Sequence, residues 1–350
     1  MPDPTAAVLR EALDRIPRVP LATVPTPLQE APRLSAELGG PRILVKRDDL
    51  TGLAFGGNKV RQMEYFLGAA RAAGADVLIG GGSYDQSNHS RICAAAARVA
   101  GMRSVIVARP GGRHPGMQGN GLITRLLADE FRVVPELAEA PVDRLAEVAL
   151  REAVFGQIAD ECRANGERPY VIPGTSIPLG VIGYVAAGLE LADQLDAAGI
   201  RDARVVVSSA GVTQAGLEVA SRALGAPFVV RGVAYLPTDG RGPSWVANLA
   251  TEAARLLGLE MTFTPDEIVN DDVVAGPAYG ILSPLRRAAI KLAAQTESLL
   301  LDPVYTSTGL AGLTAWIREG RIGSDETVVF VHTGGLPALF AYAVEFAHGG

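Results

Sequence analysis

Short runs of β-branched and other apolar residues alternate along the chain with longer stretches in which apolar positions recur every three to four residues. The short runs are "RILVK", "DVLIG", "SVIVA", "RVVP", "YVIP", "ARVVVSSA", "FVVRGVAYL" and "TVVFVHTG". Between them lie "KVRQMEYFLGAARAAG", "SNHSRICAAAARVAG", "GNGLITRLLADEF", "PLGVIGYVAAGLELADQL" and "QAGLEVASRALG". Strands buried on both faces read as continuous apolar runs, and the helices that cover them as one-sided stripes. In the helix after Asn58 the stripe is Val60, Met63, Leu67 and Ala70. This alternation predicts βαβ units, hence an α/β fold with mainly parallel sheets flanked by helices. The chain has 350 residues. A single core stops growing at about 250–300 residues, so two lobes are expected. Ligands of such sheets sit at the carboxyl ends of strands, on the loops that enter helices.

Composition narrows the partners. The chain is 48% hydrophobic with a formal net charge of −6. It has no lysine-rich run, which argues against nucleic-acid and anionic-membrane partners. No apolar run reaches the 18 or so residues of a membrane span, and the N-terminus lacks a basic start followed by an apolar stretch. A cytoplasmic location is the expectation. Cys93 and Cys162 are the two cysteines, read as reduced thiols. No metal site is expected.

Five loops carry candidate chemistry. The first is "TGLAFGGNKVRQMEY". Of the 32 Lys and Arg residues only Lys46, Lys59 and Lys291 are lysines. Asn58 is positioned to cap the following helix, which puts Lys59 in a first turn where the dipole disfavours a cation. A solvated lysine fits this position. So does a lysine used as an amine, its pKa lowered by dipole and burial. The second loop is "GGGSYDQSNHSR", where Ser87 starts a helix. A capped turn and an anion site are equally consistent with it, and His89 there reads more readily as a polar surface residue than as a catalyst. The third, "VVVSSAGVTQAGLEV", has the small residues and hydroxyl of a phosphate cradle. It has neither the GK[ST] of a Walker loop nor the GxGxxG of a dinucleotide loop. The fourth and fifth, "DPVYTSTGLAGLTAWIREG" and "VVFVHTGGLPALFAY", put Tyr305 and Thr333 at strand ends. A core aromatic with its hydroxyl at the rim is the plain alternative for Tyr305.

Seven blocks taken together, "KRDDLTGLAFGGNKVRQMEY", "QSNHSR", "QGNGLITRLL", "IPLGVIGYVAAGLEL", "SSAGVTQAGL", "LLLDPVYTSTGLAGL" and "VHTGGLPALFAY", resemble in order the D-cysteine desulfhydrase and 1-aminocyclopropane-1-carboxylate (ACC) deaminase family of pyridoxal-phosphate (PLP) enzymes, of the tryptophan-synthase-β-like fold type II. The resemblance runs from about residue 20 to 345. It implies a two-lobed protein with a small domain over 61–170 and a large cofactor-binding domain over 1–60 and 171–350, and it implies a homodimer. It makes Lys59 the lysine that carries PLP. It assigns Ser87, Asn88 and His89 to the substrate carboxylate, with Asn88 also reaching the phenolic oxygen of the cofactor. Tyr84 lies beside them as a further substrate contact. Ala210, Gly211, Val212 and Thr213 match the phosphate loop. Tyr305 matches the tyrosine beside the pyridine ring, Tyr279 a second active-site tyrosine, and Thr333 a residue near the ring nitrogen.

The family divides between ring-opening of ACC and β-elimination from D-cysteine-like amino acids. By resemblance, ACC deaminases carry Glu and Leu where this chain has Thr306 and Thr333. The expectation is therefore β-elimination from a D-cysteine-like amino acid, giving pyruvate and ammonia. Three departures, Tyr84–Asp85 in "GGGSYDQSN", Ser307–Thr308 in "DPVYTSTG", and "YGILSP", point to a specialised substrate. ACC deamination and a specialised PLP lyase acting on cysteate or in secondary metabolism are the alternatives within the family. An amino-acid-binding protein and a nucleotide-dependent transferase are the alternatives outside it.

Overall fold

The computed structural model describes residues 4–83, 87–109, 117–134, 144–172, 178–209, 211–238, 240–276 and 278–347. Two sheets organise the chain. The first has the order β5-β4-β3-β6, built from β3 (Val77–Ser83), β4 (Arg103–Arg109), β5 (Glu130–Val133) and β6 (Pro169–Val171), and every pairing in it is parallel. The second has the order β1-β2-β10-β7-β8-β9. Its strands are β1 (Leu28–Glu30), β2 (Arg42–Lys46), β7 (Arg204–Ser208), β8 (Val229–Val233), β9 (Asn270–Asp271) and β10 (Thr327–Val331). Here only the short β1–β2 edge pair is antiparallel. The α/β class with mainly parallel sheets flanked by helices is thus what the chain adopts.

Helices cover both faces of each sheet, as parallel strands require. In the first sheet Leu78 and Ile106 pack with α3 (Asn58–Ala72) and α4 (Asn88–Ala100). Val77, Ile79, Val105 and Val107 pack on the other face with Val154, Phe155 and Ile158 of α6 (Arg144–Ala164). Val60, Met63, Leu67 and Ala70, the stripe expected for α3, are all fully buried in the first of these clusters. In the second sheet Val205, Val207 and Val329 face α7 (Pro178–Ala197) and α8 (Val212–Leu224). Val206, Val328 and Phe330 face α10 (Pro284–Glu297) and α11 (Thr306–Arg318).

Element boundaries differ from expectation at several places, two of which bear on the site. The helix after Gln118, α5 (Gly119–Leu127), stops four residues early because Asp129 turns to bond the Ser104 backbone and hydroxyl, and Glu130 joins the sheet. At α3 the N-cap is Gly57, and Asn58 is the first helical residue with its side chain directed elsewhere. Among the described residues no helix is long and apolar enough to cross a membrane.

Candidate active site

Residues 54–57, which lead into Lys59, run through four consecutive positive φ angles: Ala54 44°, Phe55 70°, Gly56 61° and Gly57 107°. Two of these are non-glycine residues in a region L side chains disfavour, so the surroundings must hold the loop in place. Thr51 Oγ1 accepts from the Gly57 N–H at 2.7 Å. The loop leaving β10 crosses directly above. The Thr333 carbonyl accepts from the Asn58 N–H at 2.9 Å, and a Cβ on Gly334 would stand 2.6 Å from Gly57 Cα. Only glycine allows the two backbones to pass this closely.

Lys59 therefore sits in the first turn of α3, half-buried, with Nζ donating to Gln62 Oε1 at 3.1 Å. Burial lowers its amine to about 8. A substantial neutral fraction exists near physiological pH, as a nucleophilic or proton-abstracting lysine requires. The other two lysines are unlike it. Lys46 is buried in an ion pair with Glu190 and also donates to Gln194 Oε1 and the Thr26 carbonyl, and Lys291 is exposed.

Asn58 joins this helix start to a second one. Its Nδ2 donates to Thr213 Oγ1 at 3.0 Å, in the first turn of α8. Gly211 precedes that helix at φ 152°, and Ser209 Oγ accepts from the Gly211 and Gln214 N–H groups at 3.1 and 3.3 Å. Helix geometry leaves the Val212 and Thr213 N–H groups without an intrahelical acceptor. Together with the Thr213 hydroxyl they form an anion cradle. Ala210 lies outside the described residues.

A third helix start, that of α4, completes the cluster. Ser87 is its N-cap: Oγ accepts from the Ser90 N–H at 3.0 Å and the Ser90 hydroxyl at 2.9 Å. Both lone pairs are used, so toward a ligand Ser87 can only donate. Asn88 follows, half-buried, and His89 is buried. His89 is therefore not the surface residue that its place in a first helical turn suggested. Arg91 ties α4 to the loop before Lys59, donating to the carbonyls of Ala54 and of Gly56, the latter at 3.3 Å. Tyr84 and Asp85 lie outside the described residues.

Tyr279 and Tyr305 share a hydroxyl–hydroxyl bond of 2.7 Å. Burial pushes both phenols well above their usual range, so both are protonated at neutral pH. Tyr235, to which sequence reasoning gave no role, packs edge-on against Tyr305 with centroids 4.7 Å apart. Asp302 fixes the segment, accepting from the N–H groups of Val304, Tyr305 and Thr306 at 2.9, 2.9 and 2.7 Å. The loop that crosses Gly57 reaches this segment too, since a Cβ on Gly335 would stand 2.7 Å from Asp302 Cβ. Thr306 is tied into its own turn. Its hydroxyl donates to Asp302 Oδ1 and accepts from the Asp302 N–H, both at 2.7 Å. It is consumed locally and is not held out toward a ring nitrogen. Thr333 is buried, with its backbone on the α3 start.

Three linked helix N-termini, a half-buried amine of lowered pKa and two protonated phenols suit a small, phosphate-bearing aldehyde. Gln62 Nε2, buried and without a partner among the described residues, adds an unused donor beside Lys59. A sequence profile described as "Pyridoxal-phosphate dependent enzyme" matches residues 19–334. A D-cysteine desulfhydrase of Klebsiella pneumoniae is 40% identical over 333 residues, 94% of this chain and 97% of that one. One of Salmonella choleraesuis is 40% identical over 334 residues, with the same coverage. Among solved structures, an ACC deaminase homologue superposes with a TM-score of 0.85 at 33% identity, over 99% of both chains. An L-serine ammonia-lyase of Rhizomucor miehei shares the fold, with a TM-score of 0.66 at 19% identity over 93% of this chain and 98% of that one.

Proposed function

The chain belongs to the family of pyridoxal-phosphate dependent enzymes, as a lyase that uses that cofactor, and we propose that its substrate is a β-substituted amino acid of the D-cysteine type, cleaved to pyruvate and ammonia. The observation that carries this reading is Lys59: an amine lowered to about 8, in the helix turn that Asn58 joins to the α8 cradle. When bound, PLP supplies an aldehyde for an amine and an electron sink for charge leaving the α-carbon. In this assignment Gly211, Val212 and Thr213 hold the phosphate, with Ala210 beside them. Lys59 anchors the cofactor and moves the α-proton. Ser87, Asn88 and His89 bind the substrate carboxylate, and Tyr84 is assigned as a further substrate contact. Tyr305 packs beside the ring, Thr333 lies near the ring nitrogen, and the Tyr279–Tyr305 pair offers a hydroxyl that hydrogen-bonds the departing β-substituent. Their raised pKa values keep both phenols protonated, as hydrogen-bond donors rather than as acids.

The small lobe is assigned to 61–170 and the large lobe to 1–60 and 171–350. The supporting fact is that β3 through β6 form a sheet of their own. A cytoplasmic homodimer is part of the same reading. The test is product release from cofactor-loaded protein. Pyruvate from D-cysteine, with little 2-oxobutanoate from ACC, is expected. Borohydride should fix the cofactor on the peptide containing Lys59. Efficient 2-oxobutanoate release would move the assignment to ring-opening, and label on Lys46 or Lys291 would remove Lys59 from its role.

A further inference from the structure

Arg91, in the first turn of α4, is wholly buried, and among the described residues no carboxylate pairs with it. Its donors go to neutral oxygens. These are the Ala54 carbonyl, the Gly56 carbonyl at 3.3 Å, Asn88 Oδ1 at 3.1 Å and, from Nε, Asn120 Oδ1 at 2.8 Å. Burial brings the guanidinium down only to about 10, so it is a cation at neutral pH.

A guanidinium has no acceptor, and that fixes two amides in turn. Asn120 must turn its oxygen to Arg91, which sends its Nδ2 to Asn88 Oδ1 at 3.0 Å. Asn88 Oδ1 thus receives two donors, and its own NH2 must point the opposite way. Flipping the Asn88 amide would set its N–H groups against those of Arg91 and Asn120, losing two hydrogen bonds and burying donor against donor. An anion arriving on the free side also brings the charge that the buried cation lacks.

We propose that Arg91 and Asn120 are positioning residues that lock the Asn88 amide so that its NH2 donates to an anionic oxygen of the bound molecule, either the phenolate of the cofactor or the carboxylate of the amino acid. This rests on the reading of Ser87–Asn88 as the acid-facing end of the site.

Arg91→Met would also release the Ala54 and Gly56 carbonyls, so Asn120→Asp is the decisive variant. It keeps the Nε acceptor and gives Arg91 a counterion. It also replaces the donor to Asn88 Oδ1 with an oxygen that repels it. The first measurement is PLP affinity, by titrating cofactor-free protein. The second is KM and kcat for D-cysteine at saturating PLP. The fold should survive with melting temperature unchanged or raised. If the oxygen is the cofactor's, the PLP Kd rises about tenfold; if it is the substrate's, KM rises about tenfold while kcat stays within about twofold. In an Asn88→Ala background the same change should add nothing, because its route to the ligand is gone. The proposal is overturned if both constants stay within about twofold, if the shift persists without Asn88, or if Asn120→Asp unfolds the chain. Absence of D-cysteine turnover in the wild type would sink the substrate assignment alone. The PLP titration would then decide for or against the amide lock.

Discussion

Gly211→Asp, with Gly211→Ala as its partner, separates charge from strain at the cradle. Gly211 has φ 152° and ψ −96°, and a Cβ there would meet Leu249 Cδ1 at 3.0 Å. Any L residue carries the backbone strain, of order 1–3 kcal/mol, and alanine measures it with the Leu249 contact included. Aspartate adds a charge. At about 5 Å from a phosphate and an effective dielectric of about 20, each pair of like charges costs about 3 kcal/mol. Against a phosphate of one net charge, that alone weakens PLP binding by at least about 100-fold beyond the alanine variant. Without cofactor the sign reverses. Gly211 is the N-cap of α8, where a carboxylate stabilises the helix by about 0.3–1 kcal/mol. The assays are PLP titration by absorbance and thermal melting of cofactor-free protein. Asp should melt no lower than Ala yet bind PLP far more weakly. An aspartate variant that binds PLP within about threefold of the alanine variant would mean the phosphate sits elsewhere.

The rate at which cofactor-free protein captures PLP should follow the neutral fraction of Lys59. It should rise about tenfold per pH unit below about 8 and level off above, and a rise continuing toward pH 10 would contradict the lowered pKa. Glu218, raised to about 7 by burial, binds its proton more tightly folded than unfolded, so its contribution to stability is lost as pH climbs from about 4.5 through about 7. Glu218→Gln should therefore stabilise more at pH 7.5 than at pH 5, as melting curves at the two values would register; an equal gain at both would count against the shift. Thr306→Glu breaks both hydroxyl bonds with Asp302 and sets two carboxylates together, so cofactor-free protein should lose about 2–4 kcal/mol in urea unfolding. Thr333→Leu breaks no such pair of bonds with Asp302 and should lose less than Thr306→Glu in the same assay, its cost being the larger side chain at a buried position.

The parts of the site that could be read from the chain are those whose physics is local. A stripe such as Val60, Met63, Leu67 and Ala70 marks a buried helix face wherever it occurs, and Ser87 ahead of a helical run is a cap by its own chemistry. What escaped depends on partners far off in sequence. Asn58 looked like a cap because asparagine caps helices, but the strained glycine loop leaves Gly57 in that place and frees the Asn58 amide for Thr213, 155 residues on. Thr306 is a local exception, since Asp302, only four residues earlier, accepts the N–H groups of the turn and consumes the hydroxyl as well. Arg91 gave least warning, since an arginine in an amphipathic helix reads as a surface charge. Only the fold brings Asn120 and the Gly56 carbonyl around it, beside Asn88 of its own helix turn. Tyr235 is similar, a strand-end aromatic that acquires meaning from the ring of Tyr305 against it. Motif reading thus reaches the helix starts that the fold links around Lys59. The residues that aim those groups are recoverable only from geometry, because an orienting hydrogen bond constrains direction without demanding a particular neighbour in the chain.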